Sequence, residues 1–323
     1  MTSLGPLSVT TMPVVPPMPP TNVQRTAPSA PPMLGDSIAP PGQSRQRLLT
    51  PPSSGMWEFG TIAAQGQHEM TRAVIEQQPD NADPRREHFK FWLVPLDSNT
   101  RISSYDIEME KPAHVIIVSD DFKTFRHDHP TLNPDGTFTL DQSFDRPGKY
   151  YIYFDTVPHS IGQQVFRFDV AVGGTKFYPY TPMQRLGADA GLEQSDGSFM
   201  VALDSDKIKT GVYSPIHLAI YSHGELAEHL QPFLGVGAHA ILLKPDDLSY
   251  IHTHPMPGSM AMAMPMSEMM KHMPTLQPGD PVNPRMTLDI LAQEPGAYRM
   301  WVQFKDRDNP HYLYTVPFTV YAT

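Results

Sequence analysis

From residue 89 to 172, and again from 199 to 323, apolar and polar positions alternate with a period of two. The runs of Tyr, Phe, Val and Ile are broken by Pro, Gly, Asn and Asp. This is the pattern of short antiparallel strands bounded by turns, and it predicts an all-β chain built of sandwich domains. The one short stretch with helical spacing is 69–78, where Met70, Val74 and Ile75 share a helical face. Residues 173–198, with Gly173-Gly174, Pro179, Pro182 and Gly191, read as a linker. Residues 1–55 show no alternation at all: they hold 13 of the 36 prolines, no aromatic residue, and only Arg25, Asp36, Arg45 and Arg47 as charges. Such a segment cannot bury enough apolar area to offset its ordering entropy, so a disordered or extended tail is expected. Pro16-Pro17-Met18-Pro19-Pro20 favours a polyproline II spacer suited to tethering or to lying along a cell-envelope partner.

The two strand-rich segments repeat one another. Ala113-His114-Val115-Ile116-Ile117-Val118, an acidic turn and His127-Asp128-His129-Pro130 recur as Ala238-His239-Ala240-Ile241-Leu242-Leu243, an acidic turn and His252-Thr253-His254-Pro255. The first histidine precedes the pair by 13 residues in both copies. Gly148, Tyr150, Ile152 and Phe154 match Gly296, Tyr298, Met300 and Val302 in phase, and Phe166, Phe168 and Val170 match Val316, Phe318 and Val320 as a closing strand. The economical reading is two tandem β-sandwich domains, immunoglobulin-like or cupredoxin-like, at 56–172 and 199–323.

Residues i and i+2 of a strand face the same way, so His127 projects with His129, and His252 with His254. The proline after each pair ends the strand, and the turns Ser119-Asp120-Asp121 and Lys244-Pro245-Asp246-Asp247 fold the earlier strand back so that His114 and His239 can join as third ligands. Three neutral imidazoles suit copper, or less readily zinc. Candidate fourth ligands are His159 and His311 in the late loops, with Met109 and His229 as competitors. Between His254 and Met286 the second copy carries an insert at 256–273 with eight methionines, among them Met260, Met262, Met264 and Met266. Thioethers select Cu(I), which tips the balance to copper.

Composition narrows the alternatives. The 323 residues include 24 Lys plus Arg against 34 Asp plus Glu, a formal charge of −10, so a field able to hold nucleic acid is lacking. With no cysteine among them, disulfides, thiolate metal sites and thiol catalysis are excluded, while 14 His and 19 Met supply other metal donors. No stretch of 18 apolar residues predicts a membrane span, and no signal peptide is visible. The paired acidic turns offer too few oxygens for calcium.

The segments from Glu110-Lys111-Pro112-Ala113-His114 to His127-Asp128-His129-Pro130, and from His229-Leu230-Gln231-Pro232-Phe233-Leu234-Gly235 to His252-Thr253-His254-Pro255, resemble a bacterial cell-envelope family of metal-associated β-sandwich repeats. In that family a histidine often precedes the Glu-Lys pair, where this chain has Met109. The His-x-His strands also resemble those of copper-only superoxide dismutases, although the disulfide usual in those enzymes has no counterpart here. The resemblance implies an extracytoplasmic copper protein at the periplasm, envelope or cell surface, with one-electron redox chemistry such as superoxide dismutation. Copper buffering or delivery without turnover, and a metal-stiffened structural subunit, are the alternatives. Lys111, Arg126 and Arg146 are the cations nearest the first triad that could steer an anionic substrate, whereas the methionine insert leads one to expect Cu(I) capture at the second.

Overall fold

The computed structural model describes residues 56–173, 180–187, 189–256 and 275–323, so the proline-rich tail and Met260, Met262, Met264 and Met266 lie outside the described residues. Among them the chain is almost entirely β, in four sheets. In the first repeat an outer sheet joins Met56–Phe59, Thr71–Pro79, Arg86–Pro95, Phe138–Ser143 and Thr131–Leu132. An inner sheet joins Thr61–Ile62, Gln164–Val172, Gly148–Pro158, Ala113–Ser119 and Phe125–Asp128. The second repeat copies this plan. Its outer sheet runs Glu193–Asp196, Phe199–Leu203, Ser214–Ser222, Arg285–Ile290 and Pro255–Met256; its inner sheet runs Lys207–Ile208, Tyr314–Ala322, Gly296–Asp306, His239–Leu243 and Tyr250–Thr253. Pairing is antiparallel except where Lys207–Ile208 joins Tyr314–Ala322.

Each outer sheet covers one face of its inner sheet. Phe89, Phe91 and Phe138 meet Val115, Ile117, Ile152 and Phe168 in one core; Val201, Ile216 and Leu288 meet Ala240, Leu242, Met300 and Phe318 in the other. The remaining faces of the two inner sheets cover each other. Ile116, Val118, Tyr151 and Tyr153 pack with Ile241, Leu243, Tyr250 and Trp301 in a third core, where Tyr153 stacks on Tyr250 and Phe125 on Trp301. The described residues therefore make one compact unit.

Burial on two faces also explains why 69–78 is not a helix. Thr71–Pro79 is a strand that sends Ala73 and Ile75 into the sandwich core and Val74 toward Trp92 and Val94 on the opposite face. The apolar positions that mimic a helical face are its two sides, and nine residues pair in register with Arg86–Pro95. Within 173–198 the hairpin strand Glu193–Asp196 already belongs to the second repeat, turning at Gly197 with φ +61° before Phe199–Leu203. No helix among the described residues is long and apolar enough to cross a membrane.

The connection between repeats is itself a fastening. Pro182–Leu186 is a short helix started by a capping box between Thr181 and Gln184, with Pro182 at its first turn. It inserts the buried Arg185, which donates to the Asp120 carboxylate at 3.0 Å, the Tyr151 hydroxyl at 2.8 Å and, from the other repeat, the Pro245 carbonyl at 2.8 Å. Removing the guanidinium strands a buried carboxylate. Arg185→Ala should therefore cost about 3–5 kcal/mol in urea unfolding. Adding Asp120→Asn should recover part of that loss.

Candidate metal centre

Period-two alternation puts the histidines where the repeats meet. In Ala113–Ser119 the side chains of Ala113, Val115 and Ile117 enter the sandwich core, so His114 shares the opposite face with Ile116 and Val118. His239 likewise shares a face with Ile241 and Leu243. His127 lies opposite Ile116 and His252 opposite Ile241, which places both on that same side. Pro130 and Pro255 mark the corners where the chain leaves the inner sheet for the outer one, leaving His129 and His254 at the corners.

Two groups result that can hold a metal ion: His114, His127 and His129, and His239, His252 and His254, each with ligand atoms within 4.8 Å of one another. They are adjacent across the repeat boundary. The rings of His114 and His252 are 5.5 Å apart, as are those of His127 and His239.

The hydrogen bonds fix the tautomers. His114 Nε2 donates to the Glu108 carbonyl at 3.0 Å and His239 Nε2 to the Phe233 carbonyl at 2.9 Å. These carbonyls are six residues upstream in each copy, presented by equivalent turns in which Met109 and Leu234 adopt φ +44° and +52°. The pair histidines are held from the other repeat. His127 Nδ1 donates to Gln303 Oε1 at 3.0 Å, and the Gln303 amide is oriented by donating to Thr315 Oγ1. His252 Nδ1 donates to Asp155 Oδ2 at 3.3 Å, and Tyr250 and Gln163 donate to the same carboxylate. Asp155 and Gln303 are equivalent: each lies opposite the first histidine of its own repeat and reaches the pair of the other.

With those protons committed, the inward nitrogens of His114 and His127, 3.1 Å apart, and of His239 and His252, 3.3 Å apart, are lone pairs facing lone pairs, while His254 Nε2 stands 3.1 Å from the His252 Nε2 lone pair. A tetrahedral ion bonded at about 2.0–2.1 Å separates its nitrogen ligands by about 3.3 Å, so these spacings fit the edge of a coordination polyhedron. His129 Nε2 is buried without a hydrogen-bond partner among the described residues, a lone pair or proton that a bound ion at this group would account for.

The other histidine candidates stand apart from both groups. His159 and His229 are exposed and bond Asp106 at 2.7 Å and Asp308 at 2.8 Å; His311 is exposed in the turn before Tyr314–Ala322. Met109 sits at a turn tip where the second copy has Leu234. Sequence reasoning passed over Asp155, Gln303, Glu108 and Phe233. Asp155 and Gln303 were signalled by position, each seven residues after its aligned glycine and otherwise among apolar neighbours. A groove of about 690 Å³ between the repeats, lined by Lys123, Arg126, His127, Trp301 and Gln303, offers an approach.

Burial holds five of the six imidazoles neutral, the form that binds metal. It pushes His114 down to about 4, assisted by His252, and His129 down to about 3, assisted by His114; His127, His239 and His254 are driven well below the ordinary value by burial. Above about pH 6.5 folded and unfolded chains both carry neutral rings. As pH falls through that value, the unfolded chain takes up protons that the metal-free folded chain refuses until about 4 or below. The metal-free protein should therefore lose stability steadily from pH 6.5 to 4, with unfolding taking up more than one proton, as calorimetric melting across that range will read.

No curated protein matches the sequence. A family model matches residues 68–174 and 193–323, the two segments that carry the triads, so the chain belongs to the family described as Domain of unknown function (DUF8832).

Proposed function

We propose that this protein binds copper, one ion at each histidine triad, and that its role is to hold or hand on the metal outside the cytoplasm. The observation that carries this reading is the pair of close nitrogen–nitrogen contacts, His114 to His127 and His239 to His252, between rings whose protons are already engaged, an arrangement that a cation relieves. The donors are neutral imidazoles, which suit copper and zinc rather than calcium or magnesium. The methionine-rich insert that follows His254 directly in the chain adds soft donors and favours copper.

Holding is favoured over superoxide turnover. Of the three cations available for steering, Arg126 is paired with Asp145 and Arg146 with Asp121, each at 2.6 Å, and five of the six triad rings are held neutral by burial. The resemblance to copper-only dismutases supplies the alternative of redox turnover at the same sites.

Loaded and desalted protein should retain two coppers per chain by elemental analysis, with imidazole nitrogen couplings in the Cu(II) paramagnetic spectrum. His127→Ala combined with His252→Ala should remove both ions. Retention of copper by that variant overturns the site; preferential retention of zinc in equimolar competition overturns the metal.

A further inference from the structure

The two triads are related by the repeat, yet the residues that hydrogen-bond their rings at equivalent positions differ. Opposite the first histidine of each repeat stands Asp155 in one and Gln303 in the other. Asp155 puts a fully buried carboxylate on His252, whereas Gln303 puts a neutral amide on His127. The residue whose carbonyl anchors the first histidine is Glu108 in one repeat and Phe233 in the other. The Phe233 ring lies 4.8 Å from His239 and 6.0 Å from His127, with the Lys305 ammonium 5.4 Å over it. The half-buried Glu108 carboxyl is raised first by desolvation and then by the charge of Asp155. Positive neighbours act on the first triad, Lys111 on His114 and His129 and Lys305 on His129, although the Asp155 charge also reaches His114.

We infer that the pair sorts ions by charge, the His239/His252/His254 triad taking a divalent cation first and the His114/His127/His129 triad taking a monovalent ion such as Cu(I). This rests on the metal-binding reading above and goes beyond it. The physics is direct: a dication gains more than a monocation from a carboxylate hydrogen-bonded to one of its ligands, as Asp155 is to His252, and gains less at the first triad, where the Asp155 charge reaches His114 without a hydrogen bond and Lys111 and Lys305 act on His129. The carboxylate also strengthens His252 as a donor, because the ring that gives its Nδ1 proton to an anion becomes more basic at Nε2. The methionine insert alone suggests the opposite order, with Cu(I) at the second triad; the buried groups in contact with the rings outweigh it because they act at hydrogen-bond distance.

Co(II) and Ag(I) are the probes. Co(II) is followed by its visible ligand-field absorption in the full chain and in variants lacking one triad, and Ag(I) is counted by elemental analysis after both are supplied. His129→Ala should keep a tight Co(II) site, and His254→Ala should bind Co(II) at least tenfold more weakly. Asp155→Asn should weaken the first Co(II) equivalent by about 10–100-fold, and Gln303→Glu should strengthen the second. The unaltered chain should finish with one Co(II) and one Ag(I). Equal Co(II) affinity in the two single-triad variants, tighter binding in His254→Ala, or two Co(II) ions that Ag(I) does not displace would overturn the sorting. If Asp155→Asn does not fold, as judged by melting without metal, Gln303→Glu and the two histidine variants still decide. No ligand-field absorption in any protein would overturn metal binding itself, a result distinct from the failure of sorting.

Discussion

The inner sheet of each repeat is apolar on both faces, and a sheet of that kind must find two covers. Its own outer sheet supplies one. The inner sheet of the other repeat supplies the second, so the two sandwiches close on each other through Ile116, Val118 and Tyr153 on one side and Ile241, Leu243 and Tyr250 on the other. Everything at the metal centre follows from this closure. His114 and His239 lie on the shared face because a strand offers two faces and the sandwich core occupies the first.

Burying six imidazoles in an apolar seam is costly unless each proton and each lone pair is placed. The seam solves most of that problem with partners drawn from across it. The Glu108 and Phe233 carbonyls serve the first histidines from within each repeat, while Gln303 and Asp155 serve the pairs from the other repeat. What remains are the inward lone pairs of His114 with His127 and of His239 with His252, which a bound cation would satisfy together. Closure and tautomer are thus one constraint expressed at two scales.

The triads were legible from sequence because duplication preserved residue type, spacing and strand phase together, and the strand phase alone brings the side chains to one side. The loop candidates His159, His229 and His311 were chosen by proximity in sequence to aligned strands, and a loop imposes no facing; two of them bond Asp106 and Asp308 instead. The meeting of the triads was harder to read. Its trace is the uninterrupted apolar run Val115-Ile116-Ile117-Val118, a sign of burial on both sides rather than of a half-exposed strand. The same double burial disguised Thr71–Pro79 as a helix, since residues on two opposed faces can imitate the spacing of one helical stripe.

Contacts across the seam are reciprocal: His114 meets His252 as His127 meets His239, and the residue opposite each first histidine serves the other repeat's pair. That is the signature of an isologous interface, the kind two identical subunits form about a twofold axis. In a homodimer of a single repeat, every substitution at such a position would appear twice, and both centres would remain chemically identical. Covalent linkage of the two copies through Pro182–Leu186 releases that restriction, so that an acid on one side and an amide on the other become separately selectable while the geometry of the original pairing is kept.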